Sequence, residues 1–157
     1  MNKELAAYLR AEAIVSAAFN FFINGMVAAL IYHKADWVPT DAVSTAIDLF
    51  ITCLFISTIG TLFCAASLRR TKTEGILTPK NSLMRRLSRL FRHPALFGLL
   101  LGALTAAVLS VLTAAAFMLL GIRAIPFGGY VLLKSVFSAL LGGGGALLAM
   151  RAGMGQK

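Results

Sequence analysis

Residues 95–122 read ALFGLLLGALTAAVLSVLTAAAFMLLGI and contain no charged side chain. A soluble amphipathic helix keeps a polar stripe toward water, whereas here apolar residues occur all round the helix, the pattern of a span in lipid. About 20 helical residues at about 1.5 Å each cover the hydrocarbon thickness, so this longer stretch is expected to tilt or to seat its first turn among headgroups.

Three further stretches read in the same way: 13–32, 43–68 and 130–150. The chain is 59% hydrophobic and only 13% charged, a balance outside that of ordinary soluble domains. The expectation is an all-α integral membrane protein, a single domain over 1–157, with four spans arranged as two hairpins. A soluble helical bundle lacks the polar stripes it would need. A signal-peptide reading of 13–32 is opposed by Asn20 and Asn24, by Glu4 and Glu12 beside the leading Lys3, and by the short loop that follows.

Charge sets the expected orientation. The connection 69–94 carries Arg69, Arg70, Lys72, Lys80, Arg85, Arg86, Arg89 and Arg92, eight of the fifteen basic residues, against the single acid Glu74. By positive-inside counting this side is cytoplasmic, which places both termini there and the protein in a bacterial-type plasma (inner) membrane. Trp37 and Tyr130 then fall at the outer interface, where amphipathic rings collect. Topology thus accounts for the net charge of +9. With no aromatic-interleaved module beside the basic loop, no nucleic-acid partner is expected.

Within that loop Leu83, Met84, Leu87, Leu90 and Phe91 share one helical face, and Arg85, Arg86, Arg89, Arg92 and His93 the other. This pattern predicts an amphipathic interfacial helix, with its apolar side at the acyl boundary and its arginines among anionic headgroups. Pro94 turns the chain into the third span.

Small residues recur at every fourth position of that span, at Gly98, Gly102, Ala106, Ser110 and Ala114. Lipid gives no hydrophobic drive for helix association, so such ladders mark close backbone approach, and they are the expected homo-oligomer contact. The fourth span holds Gly142, Gly143, Gly144 and Gly145 in succession. Each weakens a helix by about 1 kcal/mol relative to alanine, which calls for a tight contact or a break that opens carbonyls to a cavity.

Polar groups inside the spans carry the functional reading. Glu12, Ser16, Asn20 and Asn24 follow at intervals of four and lie on one face, which must bridge to other helices or line a wet cavity. Asp48 and Lys134 lie at matching depths inside the second and fourth spans, nine and eight residues after Pro39 and Pro126. Charges at equal depth favour a pair or a shared vestibule, unless Lys134 snorkels outward past Tyr130. The repeated Pro spacing hints that two parallel hairpins are related by an axis normal to the membrane.

Little else bears chemistry. Cys53 and Cys64 lie on one span, about 16 Å apart by helical rise, and cannot bond to each other. His33 and His93 belong to opposite sides, so no metal site or cofactor is expected, and no hydrolase, zinc or thiol-redox motif occurs. The chain is not expected to be an enzyme. The leading expectation is a small permease-like or channel-like protein, cation- or proton-linked and homo-oligomeric. The alternative is a non-transporting subunit, assembly factor or regulator that binds another membrane protein or anionic lipid.

Overall fold

A computed structural model describes residues 3–73 and 82–155. The order is α1 (Lys3–Tyr32), β1 (Trp37–Pro39), α2 (Ala42–Thr71), α3 (Ser82–Leu90), α4 (Pro94–Leu120), β2 (Ala124–Pro126) and α5 (Phe127–Met154). The helices α1, α2, α4 and α5 are long and apolar enough to cross a membrane. Lys80 and Glu74 of the basic connection lie outside the described residues.

Local chemistry sets the helix ends. Asp41 caps α2 by accepting a hydrogen bond from the Ser44 amide at 2.9 Å, and Pro94 opens α4 where a missing N–H costs nothing. Gly121 closes α4 at a φ of 65°, a left-handed conformation in which a Cβ is strained, and its N–H points to the Met118 carbonyl.

The largest differences from the sequence reading fall at two boundaries. The first helix starts at Lys3 rather than near Ala13, because Leu5, Tyr8 and Leu9 on its added turns pack into the core at the basic end. The fourth runs four residues further, burying Ala152, Gly153 and Met154 in the same cluster.

The loops opposite the basic end are not simple connections. Trp37–Pro39 pairs antiparallel with Ala124–Pro126, with Val38 opposite Ile125 at the centre. Thr40 reinforces the join, its amide donating to the Arg123 carbonyl at 3.0 Å and its hydroxyl to the Ile122 carbonyl at 2.8 Å. Two hairpins that are distant in sequence are thereby clasped at their tips.

The long helices stand in the order α1, α5, α2, α4. α1 packs on α5, α5 and α2 form the central pair, and α4 packs on α2, while α1 and α2 make no extended contact with each other. Exchanging the two hairpins leaves this pattern unchanged, and β1 maps onto β2. The repeated Pro spacing therefore reports an approximate internal two-fold relation.

The small-residue ladders are consumed within the chain. A Cβ on Gly98 would lie 2.6 Å from the Thr58 Cα, and one on Gly102 would lie 2.9 Å from the Cys53 carbonyl oxygen, so α4 meets the backbone of α2. Ala106 is fully buried, while Ser110 is only half-buried. On α5, Gly142 faces Asn20 and Gly143 faces Ala13 and Ala17 of α1. The expected oligomer contact through these faces is thus replaced by intramolecular packing. The glycine run makes no break, since α5 is continuous through it.

At the basic end, α3 docks on protein instead of lying on lipid with its whole apolar side. Phe91, which follows α3, is buried and edge-on to Phe97, with ring centroids 5.3 Å apart, and Leu87 and Leu90 pack against the core cluster at that end. Leu83 stays exposed, and Arg85, Arg86, Arg89 and Arg92 face outward.

Candidate functional site

Because α5 separates α1 from α2, a groove runs between those two helices with α5 as its floor. It forms a cavity of about 710 Å³, within the range of ligand sites. Rows of residues at intervals of four build its length, since such positions form a ridge along a helix. On α1 the row is Glu12, Ser16, Asn20, Asn24, Ala28 and Tyr32; on α2 it is Asp48, Thr52, Ile56, Gly60 and Cys64. The rims are apolar and exposed, among them Phe19, Ile23, Phe55 and Phe63, so the groove opens sideways, toward lipid if these helices cross a membrane.

The end near the ribbon carries the charges. Lys134 donates its ammonium to Asp48 Oδ2, and the Tyr130 hydroxyl donates to the same oxygen at 3.0 Å. Lys134 is 9% exposed and turned inward, so the pair is formed and snorkelling is not. Tyr32 closes this end from α1, its ring 5.0 Å from that of Tyr130 at 70°. Thr52 turns its hydroxyl back to the Asp48 carbonyl at 2.7 Å.

Midway along the groove the asparagines do not bridge helices as expected. Asn20 Nδ2 donates to the Ser16 carbonyl at 2.8 Å, and Asn24 Nδ2 to the Asn20 carbonyl at 3.1 Å. Weaker second bonds, each 3.5 Å, run from these nitrogens to Ser16 Oγ and Asn20 Oδ1. Ser16 makes the cross-helix bond, donating to the Gly142 carbonyl at 3.0 Å. The reason is steric: Gly142 brings α5 so close that the Asn20 amide lies flat against it and folds back along α1. With these hydrogens engaged on α1 and α5, what the strip has left for a ligand is acceptor capacity.

At the basic end Ser67 of α2 donates to Glu12 Oε1 at 2.9 Å, and the Tyr8 hydroxyl lies 2.9 Å from Ser67 Oγ. Arg70, one turn beyond Ser67, completes this mouth.

The structure therefore brings Glu12, Asn20, Asn24, Asp48 and Lys134 to one cavity, while Gly98 and Gly102 serve the α2–α4 packing, Ala106 is buried and Ser110 is half-buried. Arg85, Arg86, Arg89 and Arg92 belong to the basic end outside the groove lining. Sequence reading missed Tyr8, Tyr32, Ser67 and Arg70 as lining or linking residues. For the two tyrosines the signal was present, because Tyr8 and Tyr32 extend the Glu12 row by the same interval of four.

The approximate two-fold relation supplies an internal control. Under the register that matches Pro39 to Pro126, the α4 positions equivalent to Glu12, Ser16, Asn20 and Asn24 are Leu99, Ala103, Ala107 and Val111. Only the α1 side carries the polar row, so helix packing alone does not demand it.

No protein-family model, curated protein or solved structure matches the chain.

Proposed function

We propose that the chain is a small permease-like integral membrane protein, cation- or proton-linked, whose solute path is the groove between α1 and α2. The observation that carries this reading is the polar row from Glu12 to Asn24, which joins the Glu12–Ser67 mouth to the Asp48–Lys134 pair and has no equivalent on α4. Intramembrane ionisable groups are costly and mark conduction paths or relays. In this reading the basic end and both termini face the cytoplasm of a plasma membrane, where each outward arginine of α3 gains about 1 kcal/mol from anionic headgroups. A second copy associates through surfaces other than the small faces of α4 and α5, which are already used.

Proton and cation flux into proteoliposomes tests it. Wild type is expected to conduct, and Asp48→Asn and Asn20→Leu to lose most of the flux at equal reconstitution. Absence of wild-type flux overturns the reading.

The outward arginines of α3 favour a second reading, a non-transporting subunit, assembly factor or regulator held on an acidic membrane partner or anionic lipid. It predicts that replacing Arg85, Arg86, Arg89 and Arg92 by glutamine abolishes recovery of a complex that Asp48→Asn leaves intact.

A further inference from the structure

The shape of the groove restricts what can occupy it. Between the levels of Glu12 and Tyr32, α1 rises about 30 Å, so the groove is long, and most of its lining is apolar. An extended hydrocarbon chain matches that length and that lining. Entry is lateral, between the exposed rims formed by Phe19 and Ile23 on one side and Phe55 and Phe63 on the other.

Its chemistry restricts the headgroup. Asn20 and Asn24 line the groove and spend their amide nitrogens on α1, so what they have left for a ligand is acceptor capacity. Asp48 sits at nearly the level of Asn24, because Gly25 abuts Ser135, the residue after Lys134. Both donors to Asp48 fall on Oδ2, so its carboxylate is shared and not enclosed. A group rich in N–H donors and positively charged meets these oxygens best, and the aromatic rims add cation–π attraction. An anionic head at the same place meets the Asp48 carboxylate, and the Lys134 ammonium and Tyr130 hydroxyl beside it are already engaged by that carboxylate.

We propose that the groove binds a long-chain primary amine, its ammonium held by Asp48 and the Asn24 amide oxygen and its chain laid toward Glu12 between Phe19 and Phe55. The chain has about 18 Å of groove available from the level of Asn24 to that of Glu12. This assignment names the substrate class for the permease reading and rests on the same cavity. The ammonium competes with Lys134 for Asp48, which separates it from a merely structural role for the pair: removing the lysine strengthens binding, and removing the carboxylate weakens it.

The test uses the full chain in lipid nanodiscs, titrated with dodecylammonium, dodecyl sulfate and dodecanol and read by calorimetry and by thermal shift. Saturable binding of dodecylammonium alone is expected, about tenfold tighter in Lys134→Met and about tenfold weaker in Asp48→Asn, the worth of one charged hydrogen bond. Asn24→Leu, which keeps the ion pair, weakens it as well and stands in if either charge variant fails to fold. Equal binding of the sulfate and the ammonium, no saturable binding, or weaker binding in Lys134→Met overturns the assignment. Binding without any flux keeps the site and removes the permease reading; proton or cation flux without amine binding does the reverse.

Discussion

Lys134 of α5 and Asp48 of α2 form their ion pair between the two central helices, at positions that the approximate two-fold relation nearly exchanges. One repeat supplies the acid and the other the base, so a nearly symmetric scaffold carries a complementary pair where two identical charges would repel. Tyr130, one turn before Lys134, adds its hydroxyl to the same carboxylate oxygen.

Breaking this pair from one side leaves a charge with poor solvation. Lys134→Met and Asp48→Leu are each expected to lose about 2 to 3 kcal/mol, less than a fully buried pair because the Asp48 side chain keeps 31% of its exposure. The double variant should regain most of that loss. Unfolding in detergent, analysed as a double-mutant cycle, checks this, and additive losses would mean that the two residues act independently.

The glycines separate by what lies beside them. Gly102→Val is expected to cost more than about 3 kcal/mol, because backbone atoms of Cys53 and Leu54 already lie 2.9 Å from where its Cβ would be and cannot yield as a side chain tip does. Gly144→Ala meets nothing within 4 Å and should gain about 1 kcal/mol of helix propensity. Opposite shifts in melting temperature for two glycine substitutions in spanning helices would confirm that only the first is a contact.

Acid should weaken the cap of α2. The Ser44 amide holds the Asp41 carboxyl below its ordinary pKa. A group depressed on folding contributes stability above its unfolded pKa and loses it as pH falls through the folded one. Wild type should therefore lose an increment of stability below the ordinary carboxylate range that Asp41→Asn, which still caps by its side-chain oxygen, does not lose. Thermal unfolding of both from neutral pH into acid measures the difference.

The four long helices and the polar row of α1 were legible because they are local patterns: an apolar run long enough for lipid, and an interval of four that places Glu12, Ser16, Asn20 and Asn24 on one ridge. The depth match of Asp48 and Lys134 was legible for the same reason. The partner of each helix was not. Gly98 with Gly102, and Gly142 with Gly143, announce a close approach without naming the surface approached, and the same ladders serve a second copy as well as a neighbouring helix. The direction of the Asn20 amide was also hidden, since it depends on Gly142, more than a hundred residues away. Strands of three residues such as Trp37–Pro39 carry too little alternation to announce a ribbon, although the matched prolines mark its edges.

Orientation gives the remaining prediction. Among described residues, the basic end carries Lys3, Arg10, Arg69, Arg70, Lys72, Arg85, Arg86, Arg89, Arg92 and Arg151, whereas the ribbon end outside the helices carries Lys34 and Arg123. Short basic segments resist translocation, so the basic end is expected to stay cytoplasmic. Cys53 and Cys64 are buried and free, and both are replaced by serine before labelling. In intact cells, an impermeant maleimide should then label Lys34→Cys and spare Arg86→Cys, and both should react once the membrane is opened. The reverse pattern would turn the protein over, placing the Glu12 mouth outside and the Asp48–Lys134 end within, and the direction of any coupled flux would invert with it.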